Sequence, residues 1–325
     1  MASPYYWFDL SDEDSDFETL FAEGLTLSKS ASLSLSENEP DKEVVDGLHG
    51  NLPSLSDVEI DREFVHVERQ LGEGSFGTVH KGKLMKDHFP LTVAIKTLKQ
   101  GMMTSKKFLD EARTMHKLEH DKVVELIGVC RDKEPILIIT EYMCNGDLCR
   151  FLRRDSGLTI KIREMNYFAS QIADGMNYLE SKGFVHRDLR CANVLVGIKH
   201  LVKVSDFGLA RLVDDYDRYI AGEASVFPAL WTPPEAKEFK IFTIQSDVWS
   251  FGVLLYEMIT YGEMPKKDMK ANVVEKPKPA NWPKGYFKCM SACLNHYPDQ
   301  RPTFSDLHSF FEAYRNMWTK IDNVL

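Results

Sequence analysis

His186-Arg187-Asp188-Leu189-Arg190-Cys191-Ala192-Asn193, followed by Asp206-Phe207-Gly208, is the stretch on which this chain turns. It sets two carboxylates and an amide in register, with Asp206 thirteen residues beyond Asn193. Asp188 is placed to orient or accept the proton of an acceptor hydroxyl. Asn193 and Asp206 offer the hard oxygen donors that Mg2+ prefers when it holds phosphates. A lone Asp-Phe-Gly is as readily a turn; its register with Asn193 makes it chemical. Arg187, beside the aspartate, has a second use in pairing with a phosphate on the following loop.

Working outward, Leu71-Gly72-Glu73-Gly74-Ser75-Phe76-Gly77-Thr78-Val79 occupies a strand-turn-strand position. Glycines there let backbone amides approach phosphate oxygens with no Cβ in the way. A dinucleotide fingerprint would need a helix after the glycines, whereas a strand follows. Lys96 is read at the end of the apolar strand Val93-Ala94-Ile95. Glu111, on the helix Phe108-Leu109-Asp110-Glu111-Ala112, faces between Phe108 and Met115, where an unpaired charge is expensive. A Lys96–Glu111 pair satisfies both and holds the lysine against the α- and β-phosphates of ATP.

Periodicity supplies the architecture. Phe64-Val65-His66-Val67 and Thr78 to Leu84 read as paired strands, Leu91 to Lys96 as a third, and Pro135 to Thr140 as a buried one. After Asp147 the pattern turns helical. Met165, Phe168, Ile172, Met176 and Leu179 share an apolar face ending at Gly183, and Val248, Phe251, Leu255, Met258 and Ile259 share another. The expected class is α+β and bilobal: a small β-rich lobe over about 62–143 and a larger helical lobe over about 144–315. Residues 1–58 read as an acidic, Ser-rich, disordered tail, and 316–325 as a short C-terminal one. In the N-terminal tail, Tyr5-Tyr6-Trp7-Phe8, Phe17, Leu20 and Phe21 lie among acids, a composition suited to docking on an adaptor.

Charge and cysteines narrow the function classes. Residues 1–60 carry fourteen acids against Lys29 and Lys42, a balance of −12, so the chain's total of −9 leaves +3 for the rest. The acidity belongs to the tail and gives no support for nucleic-acid binding. Six scattered cysteines, with no Cys-x-x-Cys pair, read as free thiols in a reducing cytoplasm. No apolar run is long enough to span a membrane. The start Met1-Ala2-Ser3-Pro4 suggests neither a secretory signal nor a myristoylation site.

These motifs, with Thr232-Pro233-Pro234-Glu235, Ser246-Asp247-Val248-Trp249-Ser250-Phe251-Gly252 and Asp299-Gln300-Arg301-Pro302, resemble the protein-kinase family from about residue 63 to 314. The resemblance implies catalytic roles for Asp188, Lys96, Glu111 and Arg190, metal binding by Asn193 and Asp206, and ATP with Mg2+ as cofactors. It implies a nucleotide site of Leu71, Gly72, Glu73, Gly74, Ser75, Phe76, Gly77, Val79, Ala94, Lys96, Thr140, Glu141, Met143 and Leu195. Thr140 matches the gatekeeper, and Glu141, Tyr142 and Met143 match the adenine hinge. Glu235 is expected to pair with Arg301, and Asp247 to brace the catalytic-loop backbone. Tyr219 matches the autophosphorylated tyrosine, with Tyr216 the alternative.

Arg190 stands where serine/threonine kinases carry lysine, and Phe227-Pro228-Ala229-Leu230-Trp231-Thr232 replaces their Gly-Thr loop. Both features resemble tyrosine kinases, which implies protein substrates bearing tyrosine. Marks of the Src, Tec, Abl and Fes types are mixed. The residues before the kinase region are too few for an SH2 or SH3 domain, Val58 stands in for a linker tryptophan, and Leu294 replaces another tryptophan. Only 35 residues separate Pro265 from Arg301, so a shortened helix is expected there. The alternatives are a pseudokinase scaffold, which predicts loss of Lys96, Asp188, Asn193 or Asp206, and a dual-specificity kinase.

Overall fold

The computed structural model describes residues 54–73, 77–86, 89–98, 104–222, 225, 227–265 and 284–322. Gly74, Ser75 and Phe76, the tail through residue 53, and the segment 266–283 where a shortened helix was expected lie outside the described residues.

The small lobe is an antiparallel sheet of β1 (Val65–Glu73), β2 (Gly77–Lys86), β3 (Phe89–Leu98), β4 (Leu126–Cys130) and β5 (Leu137–Glu141) in the order β1-β2-β3-β5-β4. Its apolar face buries Leu84, Val93, Ile95, Leu137 and Ile139. Helix α1 (Ser105–His116) covers the sheet with Phe108, Leu109 and Ala112, after a cap in which the Thr104 side chain accepts from the Lys107 amide. Strand β3 runs past Lys96 to Leu98, so the lysine lies inside the strand rather than at its end, opposite Val79 and Ile138. The extension follows from the Thr97 hydroxyl bonding the Thr78 hydroxyl at 2.6 Å, which carries the pairing onward.

Packed structure begins before the boundary at 59 read from composition. Leu55 is 1% exposed against Phe108, Leu109, Ala112 and Val129. A single turn at Ser56–Val58 follows, and Glu59 then bridges to Val129, with the Ile60 amide donating to the Val129 carbonyl at 2.8 Å. One leucine among serines and acids carries no periodic signal, so composition assigns it to the tail.

The large lobe is helical: α2 (Leu148–Asp155), α3 (Ile162–Ser181), α4 (Pro234–Phe239), α5 (Ile244–Ile259), α6 (Lys284–Cys293) and α7 (Phe304–Asp322). Helix α5 is buried on every side from Ser246 to Ile259 and is the axis of the lobe. Phe251 meets Phe304 and Phe311 of α7 edge-on. Helix α3 ends as its sequence reads, with Gly183 at φ +69 just beyond it. Leu294, where a tryptophan is customary, is fully buried in this core. Between the lobes lie the short strands β6 (Gly146–Asp147), β7 (Phe184–Val185), β8 (Val194–Val196) and β9 (Val202–Val204), which present the opening motifs to the cleft.

Candidate active site

The cleft is built from both lobes. From β3, the Lys96 ammonium reaches both oxygens of Glu111 at 2.7 Å and Asp206 at 3.4 Å. Burial opposes charge on Lys96, but the Glu111 and Asp206 carboxylates overcome it and hold the lysine above its ordinary range. Burial likewise pushes the Glu111 carboxyl up, and Lys96 pulls it back. Asp206 stays below its ordinary value, chiefly through Lys96, and its side chain is 43% exposed. Phe207 is fully buried with its ring against His186, which turns Asp206 into the cleft at φ +64. Such left-handed backbone at a non-glycine residue is strain held by its surroundings.

The catalytic loop is fixed from below. Asp247 of α5, wholly buried, accepts from the His186 amide at 2.6 Å and the Arg187 amide at 2.9 Å. Burial drives its carboxyl up to about 7 against those two donors. His186 is buried, and burial depresses its imidazole to about 4. The neutral ring donates from Nε2 to the Ser205 carbonyl at 3.0 Å and accepts the Asp188 amide at Nδ1, 3.2 Å away.

Asp188 is nearly buried, and desolvation raises it to about 6 despite Arg190 beside it. Arg190 Nε approaches Asp188 Oδ1 at 2.9 Å without the alignment of a hydrogen bond, so the contact is an ion pair. The Asn193 amide donates to the Asp188 carbonyl at 2.8 Å, which leaves its oxygen for a cation. Asn193 also accepts from the Ser205 hydroxyl and amide through its carbonyl, tying it to the strand end before Asp206. Asp206 and Asn193 thus form an oxygen-donor set that suits Mg2+ sharing its coordination with phosphates.

The described residues among the other nucleotide-site candidates lie on or beside the strands that carry Lys96 and precede Asp206. Val79 faces Lys96 across the β2–β3 ladder, Ala94 pairs with Thr140, and Leu195 sits on β8 below them. Met143 is buried where the chain passes between lobes, and the Glu141 carboxylate is spent on Lys203 at 2.6 Å and the Glu125 amide at 2.9 Å. The Glu141 carboxylate is therefore committed within the fold, and its backbone N–H donates to the Glu125 carbonyl at 3.2 Å. Leu71, Gly72 and Glu73 end β1. Gly77 is required for packing as well, because a Cβ there would lie 2.1 Å from the Thr97 carbonyl oxygen.

On the acceptor side, Pro228 takes the Trp231 and Thr232 amides on its carbonyl, and the Arg190 guanidinium lies over the Trp231 ring at 5.3 Å. Arg301 grips Glu235 with two contacts of 2.7 and 3.0 Å, its side chain fully buried. Tyr219, on β10 (Arg218–Ile220) paired with β11 (Ile241–Thr243), stacks under Arg187 at 4.5 Å. Nearby, Arg211 donates to the Gly208 and Ala210 carbonyls. Sequence reasoning missed the strut role of His186 and the buried Glu257, which bonds Cys191 and Trp231. The pattern of α5 marks Glu257 only as a polar residue in an apolar helix.

A lysine–glutamate pair, an aspartate and an amide that together offer oxygen donors, and a separate aspartate beside Arg190 are the arrangement of the protein-kinase class. The model of the family described as protein tyrosine and serine/threonine kinase matches residues 65–311, and the chain belongs to it. It is 42% identical over 273 residues to tyrosine-protein kinase Src64B of Drosophila melanogaster, covering 81% of this chain and 49% of that protein. It is 44% identical over 266 residues to tyrosine-protein kinase FRK of Homo sapiens, covering 79% of this chain and 52% of that protein. The chain spans about half the length of these relatives. Among the described residues no helix is long and apolar enough to cross a membrane.

Proposed function

We propose that the protein transfers the γ-phosphate of Mg·ATP to tyrosine hydroxyls of protein substrates. The observation that carries this reading is the assembled Lys96–Glu111–Asp206 contact, with Asp188 and Arg190 poised under a tryptophan-bearing acceptor loop. Mg2+ held by Asp206 and Asn193 would neutralise phosphate charge. Lys96 binds the α- and β-phosphates, and Glu111 keeps it aimed. Asp188 accepts the proton of the acceptor hydroxyl, and Arg190 holds that carboxylate at the acceptor loop. The relatives named above are both tyrosine-protein kinases, which supports tyrosine over serine.

Phosphorylation of Tyr219 would replace its stacking on Arg187 with a charged pairing, a route to activation. Six unbridged cysteines favour a cytoplasmic setting, and the acidic-aromatic tail is offered as an adaptor-docking segment. Incubation with Mg·ATP and a mixture of tyrosine and serine peptides tests the central reading. Phosphotyrosine is expected from wild type and none from Asp188→Asn. Phosphoserine alone, or nucleotide binding without transfer, would defeat it.

A further inference from the structure

We infer that Glu257 is a positioning residue that couples the acceptor loop to the catalytic loop and thereby sets how an acceptor side chain meets Asp188. The inference rests on the functional reading above and concerns the same site.

Glu257 lies on α5, five residues beyond the Ser246–Gly252 motif, and is 3% exposed. One of its oxygens accepts two donors, the Cys191 amide at 3.0 Å and the Trp231 indole N–H at 2.9 Å. Cys191 follows Arg190, whose guanidinium covers the Trp231 ring and whose Nε faces Asp188. The contacts therefore close a ring: Asp188 to Arg190, along the backbone to Cys191, to Glu257, to Trp231, and back to Arg190. A second link from the same helix, the Ser250 hydroxyl to the Trp231 carbonyl at 3.0 Å, fixes the backbone but not the indole.

Burying a carboxylate is costly unless its donors make it necessary. Desolvation pushes Glu257 up, and the Cys191 and Trp231 donors draw it back. A bare structural staple on α5 would not need to join the two loops that must agree in height. A phenol hydroxyl has to arrive within hydrogen-bond reach of Asp188, and a misplacement of about 1 Å costs roughly a hundredfold in rate. Glu257 fixes that distance by holding both loops on one atom.

Steady-state kinetics of the full chain with a tyrosine peptide and Mg·ATP test this for wild type, Glu257→Gln, Trp231→Phe and the double variant. Glutamine keeps the shape but puts a buried amide where the two donors converge, and phenylalanine removes the indole donor. Each single change is expected to lower kcat with the tyrosine peptide about tenfold while the KM for ATP moves less than about twofold. The double variant is expected to match the worse single, because both break one link.

A KM for ATP that moves as far as kcat, additive effects, or an unchanged kcat would overturn the inference. If Glu257→Gln does not fold, Trp231→Phe decides alone, since it severs the same bond with the carboxylate intact. A wild type that transfers no phosphate to tyrosine overturns the functional reading and this inference with it. An active wild type with unaltered variants overturns this inference alone.

Discussion

Lys96 and Glu111 are joined at 2.7 Å through both carboxylate oxygens, and the same ammonium stands 3.4 Å from Asp206. One cation therefore binds helix α1 to the turn that carries Asp206. Lys96→Met is expected to lower kcat/KM at least about a hundredfold, as removal of a preorganised charge in a dry site does. It also strands Glu111, so the variant should lose about 3 kcal/mol of stability. Lys96→Arg should not restore activity, because a planar fork does not replace a compact ammonium. Peptide kinetics and urea unfolding check both statements.

Asp188 gives a pH dependence with a defined sign. Its carboxyl is raised to about 6 by burial, so the proton acceptor forms only as pH rises through that value. The acid limb of kcat/KM should fall about tenfold per pH unit below it. Stability runs the other way. A carboxyl raised above its ordinary 3.8 binds its proton more tightly when folded, so stability is lost as pH rises from about 4 to 6. Asp188→Asn should abolish transfer yet melt above wild type at pH 8, with the gap closing near pH 4. Thermal melts at the two pH values measure it.

Tyr219 under Arg187 predicts a slow onset of activity. Burial lowers the Arg187 guanidinium to about 10, with Arg211 adding to the effect, so the site is short of negative charge. A phosphate on Tyr219 would supply it. Wild type preincubated with Mg·ATP should show a several-fold higher initial rate and lose its lag. Tyr219→Phe, which keeps the ring on Arg187, should show neither change.

Leu55 predicts that the lobe depends on residues ahead of its first strand. It fills the crevice beside Phe108 and Val129. Leu55→Ala should cost about 2–4 kcal/mol by leaving a cavity under α1, the helix that carries Glu111. Asp57 faces His116 at 3.0 Å but is 64% exposed, so Asp57→Asn should change stability by less than about 1 kcal/mol. Equilibrium unfolding of the two variants separates packing from charge.

Much of this was legible in the chain. Alternating apolar residues marked the strands, Gly183 marked the end of α3, and the register of Asn193 with Asp206 is kept by the Ser205 contacts to the Asn193 carbonyl. Those signals are local, and the fold keeps them local. Lys96–Glu111 was legible for another reason: a glutamate between Phe108 and Met115 has to find a cation. What escaped was long-range and lacked a period. Glu257 meets Cys191 66 residues away, and nothing near either residue announces the other. Leu55 was hidden by its neighbours' composition. The run of β3 past Lys96 depended on the hydroxyl of Thr97 finding Thr78 on another strand.

His186 has a consequence for how the two halves of the reaction keep step. Its ring spans from the amide of Asp188 to the carbonyl of Ser205, the residue directly before Asp206. A neutral, buried imidazole with both nitrogens committed has one orientation, so it acts as a gauge block between the carboxylate proposed to receive a proton and the carboxylate proposed to anchor phosphate. Attack and departure must lie on one line, and that line is set by a part that touches neither reactant. A wear of half an ångström in the gauge would show up as misalignment between two sound halves, and repairing either half alone would not correct it.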